Sequence, residues 1–154
     1  MRLVVAVVGR PRDPGLASAI REYEIRAARY WPLDVREVRE ESARGVPPDV
    51  VRAKEAERLL TAAPAGAQIV ACDEAGDALT SRQFAEFLQE SRERARDLAF
   101  LIGGAFGLGP TVRERADRLL ELAPWTLPHE LARLVLAEQL YRAGTIVRRE
   151  PYHK

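Results

Sequence analysis

Four glycines crowd one short stretch of the chain. Gly103, Gly104, Gly107 and Gly109 come directly after the uncharged apolar run Ala99-Phe-Leu-Ile102. Pro110-Thr111 then opens an Arg/Glu-rich segment of helical character. A buried strand, a glycine loop and a helix in that order make the usual ligand site of an α/β fold. Glycine permits φ > 0 and lets a ligand come up against the bare main chain, so binding through backbone groups is the chemistry open to this loop. Neither common phosphate motif is present: no Lys-Ser/Thr pair follows Gly109, and the glycine spacing is not G-x-G-x-x-G. By itself such a loop is more readily a turn than a site.

The remaining reactive side chains are sparse. His129, His153 and Cys72 are the only histidines and the only cysteine, and they are far apart, so no zinc site is expected. A single cysteine excludes an intrachain disulfide. With no signal peptide and no long apolar run, the protein is expected to be cytoplasmic, with no membrane partner. A formal net charge of +1 offers no bulk argument for nucleic acid. Lys54 and Lys154 are the only lysines among 24 basic residues. Arginine suits phosphate forks and base stacking, but a GC-rich genome gives the same bias.

The elements that must position these residues follow in order. Leu3–Val8 is a buried strand ending at Gly9, followed by a loop with Pro11, Pro14 and Gly15. Leu16 to Tyr30 has helical periodicity, with Leu16, Ala19, Ile20, Tyr23 and Ala27 on one face, and Pro32 stops it. Leu33, Val35 and Val38 fit a short strand. Asp49 can cap a helix from Val50 to about Ala63. Gln68–Cys72 is a third strand, ending in Asp73-Glu-Ala-Gly76. Thr80 or Ser81 caps a helix to about Arg96, with Phe84, Phe87, Leu88 and Ala95 inward. Leu119–Leu122 fits a last strand or a helix end. Glu130 to Ala143 is a strong helix with Leu131, Leu134, Val135, Glu138 and Tyr141 on one stripe and Gly144 as its C-terminal cap. Alternating strands and helices predict an α/β fold: a mostly parallel sheet with helices on both faces, in one domain over residues 1–154.

Several motifs then recur together. These are the opening strand, the Val70–Asp73 strand end, Leu101-Ile-Gly-Gly104, Leu127-Pro-His129, the helix segment Glu138-Gln-Leu-Tyr-Arg-Ala143 and Pro151-Tyr-His-Lys154. Over the whole chain this set closely resembles the RlmH family, small bacterial methyltransferases of the SPOUT superfamily that modify large-subunit ribosomal RNA. The resemblance implies a C-terminal trefoil knot, which periodicity and composition do not reveal. It implies S-adenosylmethionine as cofactor, held by three loops matching Cys72, Gly103 and the run Leu122, Ala123, Pro124, Trp125, Thr126, Leu127. It implies a homodimer whose active sites are completed by the partner chain, and N3 of a 23S ribosomal RNA pseudouridine, in the assembled ribosome, as the methyl acceptor.

The residues suit these roles. Gly103 removes a side chain where the ligand meets the backbone, Pro124 and Pro128 stiffen the last loop, and Leu122 and Leu127 can line an adenine cleft. Trp125 can stack or fill core. Cys72 departs from the leucine of the relatives, an apolar swap that spares a backbone contact. N3 of the base carries a weakly acidic proton, so transfer needs a base or a cation beside it. The resemblance makes His153 the candidate base, Arg142 the candidate cation and Tyr152 a candidate for stacking on or orienting the base, on a tail that reaches across the dimer. The plain readings stay open: His129 holding a turn, Arg142 favouring a helix dipole, and a frayed tail. Two rivals also remain, a non-catalytic ribosome- or RNA-binding module that keeps the knotted pocket, and a nucleotide-binding Rossmann domain.

Overall fold

Ten elements alternate along residues 1–154 of the computed structural model. The strands are β1 (Leu3–Val8), β2 (Leu33–Val38), β3 (Gln68–Ala78), β4 (Leu98–Ile102) and β5 (Arg118–Glu121). The helices are α1 (Pro14–Ala27), α2 (Pro48–Ala62), α3 (Ser81–Glu93), α4 (Pro110–Arg115) and α5 (His129–Val147). All strand pairs are parallel, in the order β2-β1-β4-β3-β5. This is the predicted class.

The core divides on the period-2 geometry of the strands. Leu3, Val5 and Val7 of β1 join Phe100 and Ile102 of β4 on one face, against Leu88 of α3 and Leu136 and Leu140 of α5. Val4, Ala6 and Val8 face the other way, with Ala99 and Leu101, onto Ala56 and Leu59 of α2 and Val112 of α4. Every residue of β1 and β4 is buried, which is why both are continuous apolar runs.

Several boundaries differ from the sequence reading. Asp13 caps α1 through its side chain, and Pro47 rather than Asp49 stands at the cap of α2. Thr80 and Gln83 form a reciprocal capping box on α3. That helix stops at Glu93, and Ala95, expected inward, is exposed with φ of 51°. Its left-handed backbone turns the chain into β4. Leu119 belongs to a strand, not a helix end. β3 runs past Cys72: Cys72 and Asp77 both pair with Leu120, so Asp73–Gly76 bulge out between them.

The last helix corrects the sequence most. Its fully buried stripe is Ala132, Leu136, Leu140 and Ala143, while Leu131, Leu134, Val135, Glu138 and Tyr141 are only half-buried. A helix apolar nearly all round carries no reliable phase, and packing against both α1 and α3 chose the other stripe. Gly144 is no cap either. The helix continues to Val147, and a Cβ at Gly144 would lie 2.3 Å from Cγ of Tyr30. The Tyr30 hydroxyl donates to Glu150 and Arg148 lies 4.6 Å over its ring, so the ring cannot swing aside. Gly144→Ala is therefore expected to destabilise the fold by about 1–3 kcal/mol, the usual cost of overpacking, as read by urea denaturation. Wild-type stability would show that Tyr30 is free to move.

Candidate cofactor and active site

A cavity of about 720 Å³ opens at the carboxyl ends of β3, β4 and β5, three neighbours in the sheet. That edge of a parallel sheet is where α/β folds bind ligands, and the volume suits a nucleoside with an amino-acid side arm. Cys72 contributes from β3, Gly103 from β4, and Leu122, Ala123, Trp125, Thr126 and Leu127 from the segment after β5. Pro124 is not on the wall. Three loops remote in sequence thus meet because their strands are adjacent.

Local geometry gives the glycine loop its shape. Gly107 has φ of 74°, and its N–H donates to the Gly104 carbonyl at 3.0 Å. A Cβ on Gly103 would lie 2.5 Å from the Gly107 carbonyl carbon and 2.7 Å from the Leu108 nitrogen. The glycine is thus required by the loop's own backbone rather than by ligand clearance alone. On the far wall Trp125 is 79% exposed, so it fills no core. Thr126 ties this loop to the β3 bulge by donating to Glu74 at 3.1 Å. Cys72 is a free thiol, pushed up to about 12 by burial, with Asp73 adding a smaller upward push. The neutral form prevails at ordinary pH, so alkylation at pH 8 is expected to run at least about 10²-fold slower than for a free cysteine. Labelling at the free-cysteine rate would show an open, ionisable thiol.

Outside the glycine loop, the sequence reading missed Asp73, Glu74, Ile102, Arg113 and Ala132 on the cavity wall, and left His129 as a turn residue although it also lines the wall. No spacing pattern marks them. Arg113 reaches the site only because α4 returns beside the end of β3.

A second cluster lies elsewhere. On α5, Glu138 accepts from Arg142 Nε at 3.0 Å and from the Tyr152 hydroxyl at 3.0 Å. The Arg142 guanidinium sits 4.7 Å over the Tyr152 ring, and its Nη1 lies 3.3 Å from His153 Nδ1. Tyr152 packs against Tyr141 with centroids 4.6 Å apart and the rings tilted by 56°. The tail is folded onto its own helix and is neither frayed nor extended. Burial, then hydrogen bonds with Tyr23 and Glu138, hold the Tyr152 hydroxyl well above the usual phenol range. The Glu138 hydrogen bond likewise raises Arg142, which stays cationic. Arginine can only donate, so His153 Nδ1 accepts, and the neutral ring then carries its proton on Nε2. Arg142, Tyr152 and His153 are brought together, but none lines the cavity. Arg142 lies ten positions along α5 from Ala132, the last helix residue on the cavity wall, a rise of about 15 Å.

Comparison with known proteins places this arrangement. A family model described as "Predicted SPOUT methyltransferase" matches residues 1–153. The chain superposes on the crystal structure of a methyltransferase, described as probable, from Bordetella pertussis Tohama I with a TM-score of 0.57 at 17% identity, covering 92% of this chain and 95% of that one, a likeness of fold. The chain belongs to the SPOUT methyltransferase family. Two full-length relatives sharpen this. One from Gemmatimonas aurantiaca is 66% identical over 154 residues, covering 100% of both chains, and one from Geobacter sulfurreducens is 42% identical, covering 99% of both. Both are named Ribosomal RNA large subunit methyltransferase H. Family membership carries the knotted C-terminal threading with it.

The family's cofactor is S-adenosylmethionine, and the cavity suits it. Its wall joins the ends of three strands with apolar flanks from Ile102, Leu122 and Leu127, and Glu74 suits a ligand that carries positive charge. No helix is long and apolar enough to cross a membrane, and no three His, Cys, Asp or Glu side chains gather as a metal site.

Proposed function

We propose that this protein is an S-adenosylmethionine-dependent methyltransferase of large-subunit ribosomal RNA, acting on N3 of a pseudouridine in the assembled ribosome. The cavity at the ends of β3, β4 and β5 carries the reading, supported by full-length identity to relatives named for that class of substrate. Bound there, the cofactor supplies an electrophilic methyl group. The cofactor loops are those of Cys72, Gly103 and Leu122–Leu127, with Pro124 acting as a stiffener behind the wall.

The other residues handle the acceptor. N3 must lose a proton before it can attack, and the Arg142 cation stabilises the anion that forms. Glu138 holds that cation at fixed orientation, and the Tyr152 ring backs it, so that the pair orients the base. With Nδ1 engaged by Arg142, His153 presents Nε2–H as a donor to the base. It accepts the proton only once released from Arg142.

The protein acts as a homodimer in this reading, because one chain separates its cavity from Arg142 by about 15 Å of helix. The half-buried Leu131, Leu134 and Val135 of α5 supply apolar surface for a second copy, which would bring its tail to the first copy's cavity. Mass spectrometry of 23S rRNA fragments from a deletion strain tests the function: a methyl group on one pseudouridine should vanish and return on complementation. Unchanged fragments would overturn the reading and favour a non-catalytic ribosome-binding module. For the dimer, a tail-truncated chain co-refolded with a Gly103→Ala chain, at a cofactor concentration below the Kd of the Gly103→Ala chain, should transfer methyl faster than either chain alone, since one site of each mixed dimer is intact. No recovery would place both halves of a site in one chain.

A further inference from the structure

Arg113 is the only permanently cationic side chain on the cavity wall, and no role above uses it. Its Nε donates to Asp73 Oδ2 at 2.6 Å. The Asp73 side chain is 3% exposed and that of Arg113 49% exposed. Asp73 is itself fixed, because its Oδ1 accepts from the Ala75 N–H at 2.9 Å within the β3 bulge. A buried carboxylate thus orients the guanidinium through Nε, and its two terminal nitrogens have no hydrogen-bond partner in the protein. An oriented, half-exposed fork on a cavity wall is built to take a planar anion in two parallel hydrogen bonds.

Resting on the methyltransferase reading, we infer that Arg113 binds the amino-acid carboxylate of S-adenosylmethionine, with Asp73 as its positioning residue. The carboxylate is the cofactor's only anionic group, beside an ammonium and a sulfonium. Asp73 directly follows Cys72, and α4 directly follows the glycine loop, so the fork is tethered to two of the three cofactor loops. Glu74, one residue on and held by Thr126, is the acceptor left for the ammonium. An RNA phosphate is the competing anion, but it would have to reach a fork anchored at the strand ends where the cofactor itself is held.

Calorimetric titration decides the matter with three ligands: S-adenosylmethionine, its decarboxylated analogue and 5′-methylthioadenosine, which lacks the whole amino-acid arm. Wild-type protein should bind S-adenosylmethionine about 10- to 100-fold more tightly than the decarboxylated analogue, the range for charge-assisted hydrogen bonds. Arg113→Gln should lose that same factor for S-adenosylmethionine while binding the other two as wild type does. Arg113→Lys, which keeps the charge but not the fork, should fall between. An equal loss for all three ligands in Arg113→Gln would overturn the inference, as would wild-type indifference to the carboxylate, a comparison that needs no variant to fold. Unchanged cofactor affinity with weakened methylation of ribosomes would assign Arg113 to an RNA phosphate instead. If wild-type protein binds none of the three ligands, the methyltransferase reading itself fails. Binding that ignores the carboxylate sinks only the role of Arg113.

Discussion

Removing Tyr152, His153 and Lys154 is expected to lower single-turnover methyl transfer to ribosomes by at least about 10²-fold at saturating cofactor, the low end for losing acid–base help. Cofactor affinity should stay at the wild-type value, because none of these residues lines the cavity. Stability should fall modestly, by about 1–2 kcal/mol. The deletion removes a ring packed at 4.6 Å against Tyr141 and a hydrogen bond to Glu138. It also frees the Arg142 face that Tyr152 covers and the Nη1 that His153 meets. His153→Ala should show part of the rate loss. Arg142→Ala should show a comparable one with α5 intact, since that helix is held chiefly by Leu136, Leu140 and Ala143. Full-rate transfer by the truncated protein would remove Tyr152 and His153 from catalysis and move the chemistry to His129 and the loops around Gly103.

Gly103→Ala should reduce affinity for S-adenosylhomocysteine at least about 10-fold and cost about 1–3 kcal/mol of stability, through overpacking. The added Cβ would meet Gly107 and Leu108 backbone atoms at 2.5–2.7 Å, and backbone cannot rotate away as a side chain can. The loop must open, and the loop is the cavity wall. Gly109→Ala is the matched control, because its Cβ would meet Arg52 at 3.5 Å, an ordinary contact, at a φ of −76°. Calorimetry and thermal melting on both variants give the comparison. Wild-type affinity in a folded Gly103→Ala protein would take this loop out of the site.

The strands were legible in the sequence for a direct reason. β1 and β4 are buried on both faces, so every residue is apolar and the run stands out. The start of α3 was legible from Thr80, whereas the side-chain cap of α1 at Asp13, inside a Pro-rich loop, was not read. The face of α5 was not, since Leu131, Leu134 and Val135 are as apolar as Leu136 and Leu140, and only packing on α1 and α3 chooses between them. The bulge after Cys72 was also hidden, because nothing local says that Asp77 will pair where Cys72 has already paired.

For the site, the sequence by itself showed the glycine loop, and the resemblance carried by its motif order pointed to the segments at Cys72, Gly103 and Leu122–Leu127 and to Arg142, Tyr152 and His153. Tertiary structure alone decided the rest. Strand order β4-β3-β5 brings the three segments to one cavity, and the return of α4 sets Arg113 against Asp73. The rise of α5 keeps the tail cluster away from the cavity of its own chain. Those are distances between residues remote in sequence. They follow from which surfaces pack together, and no local pattern of residue types encodes that choice.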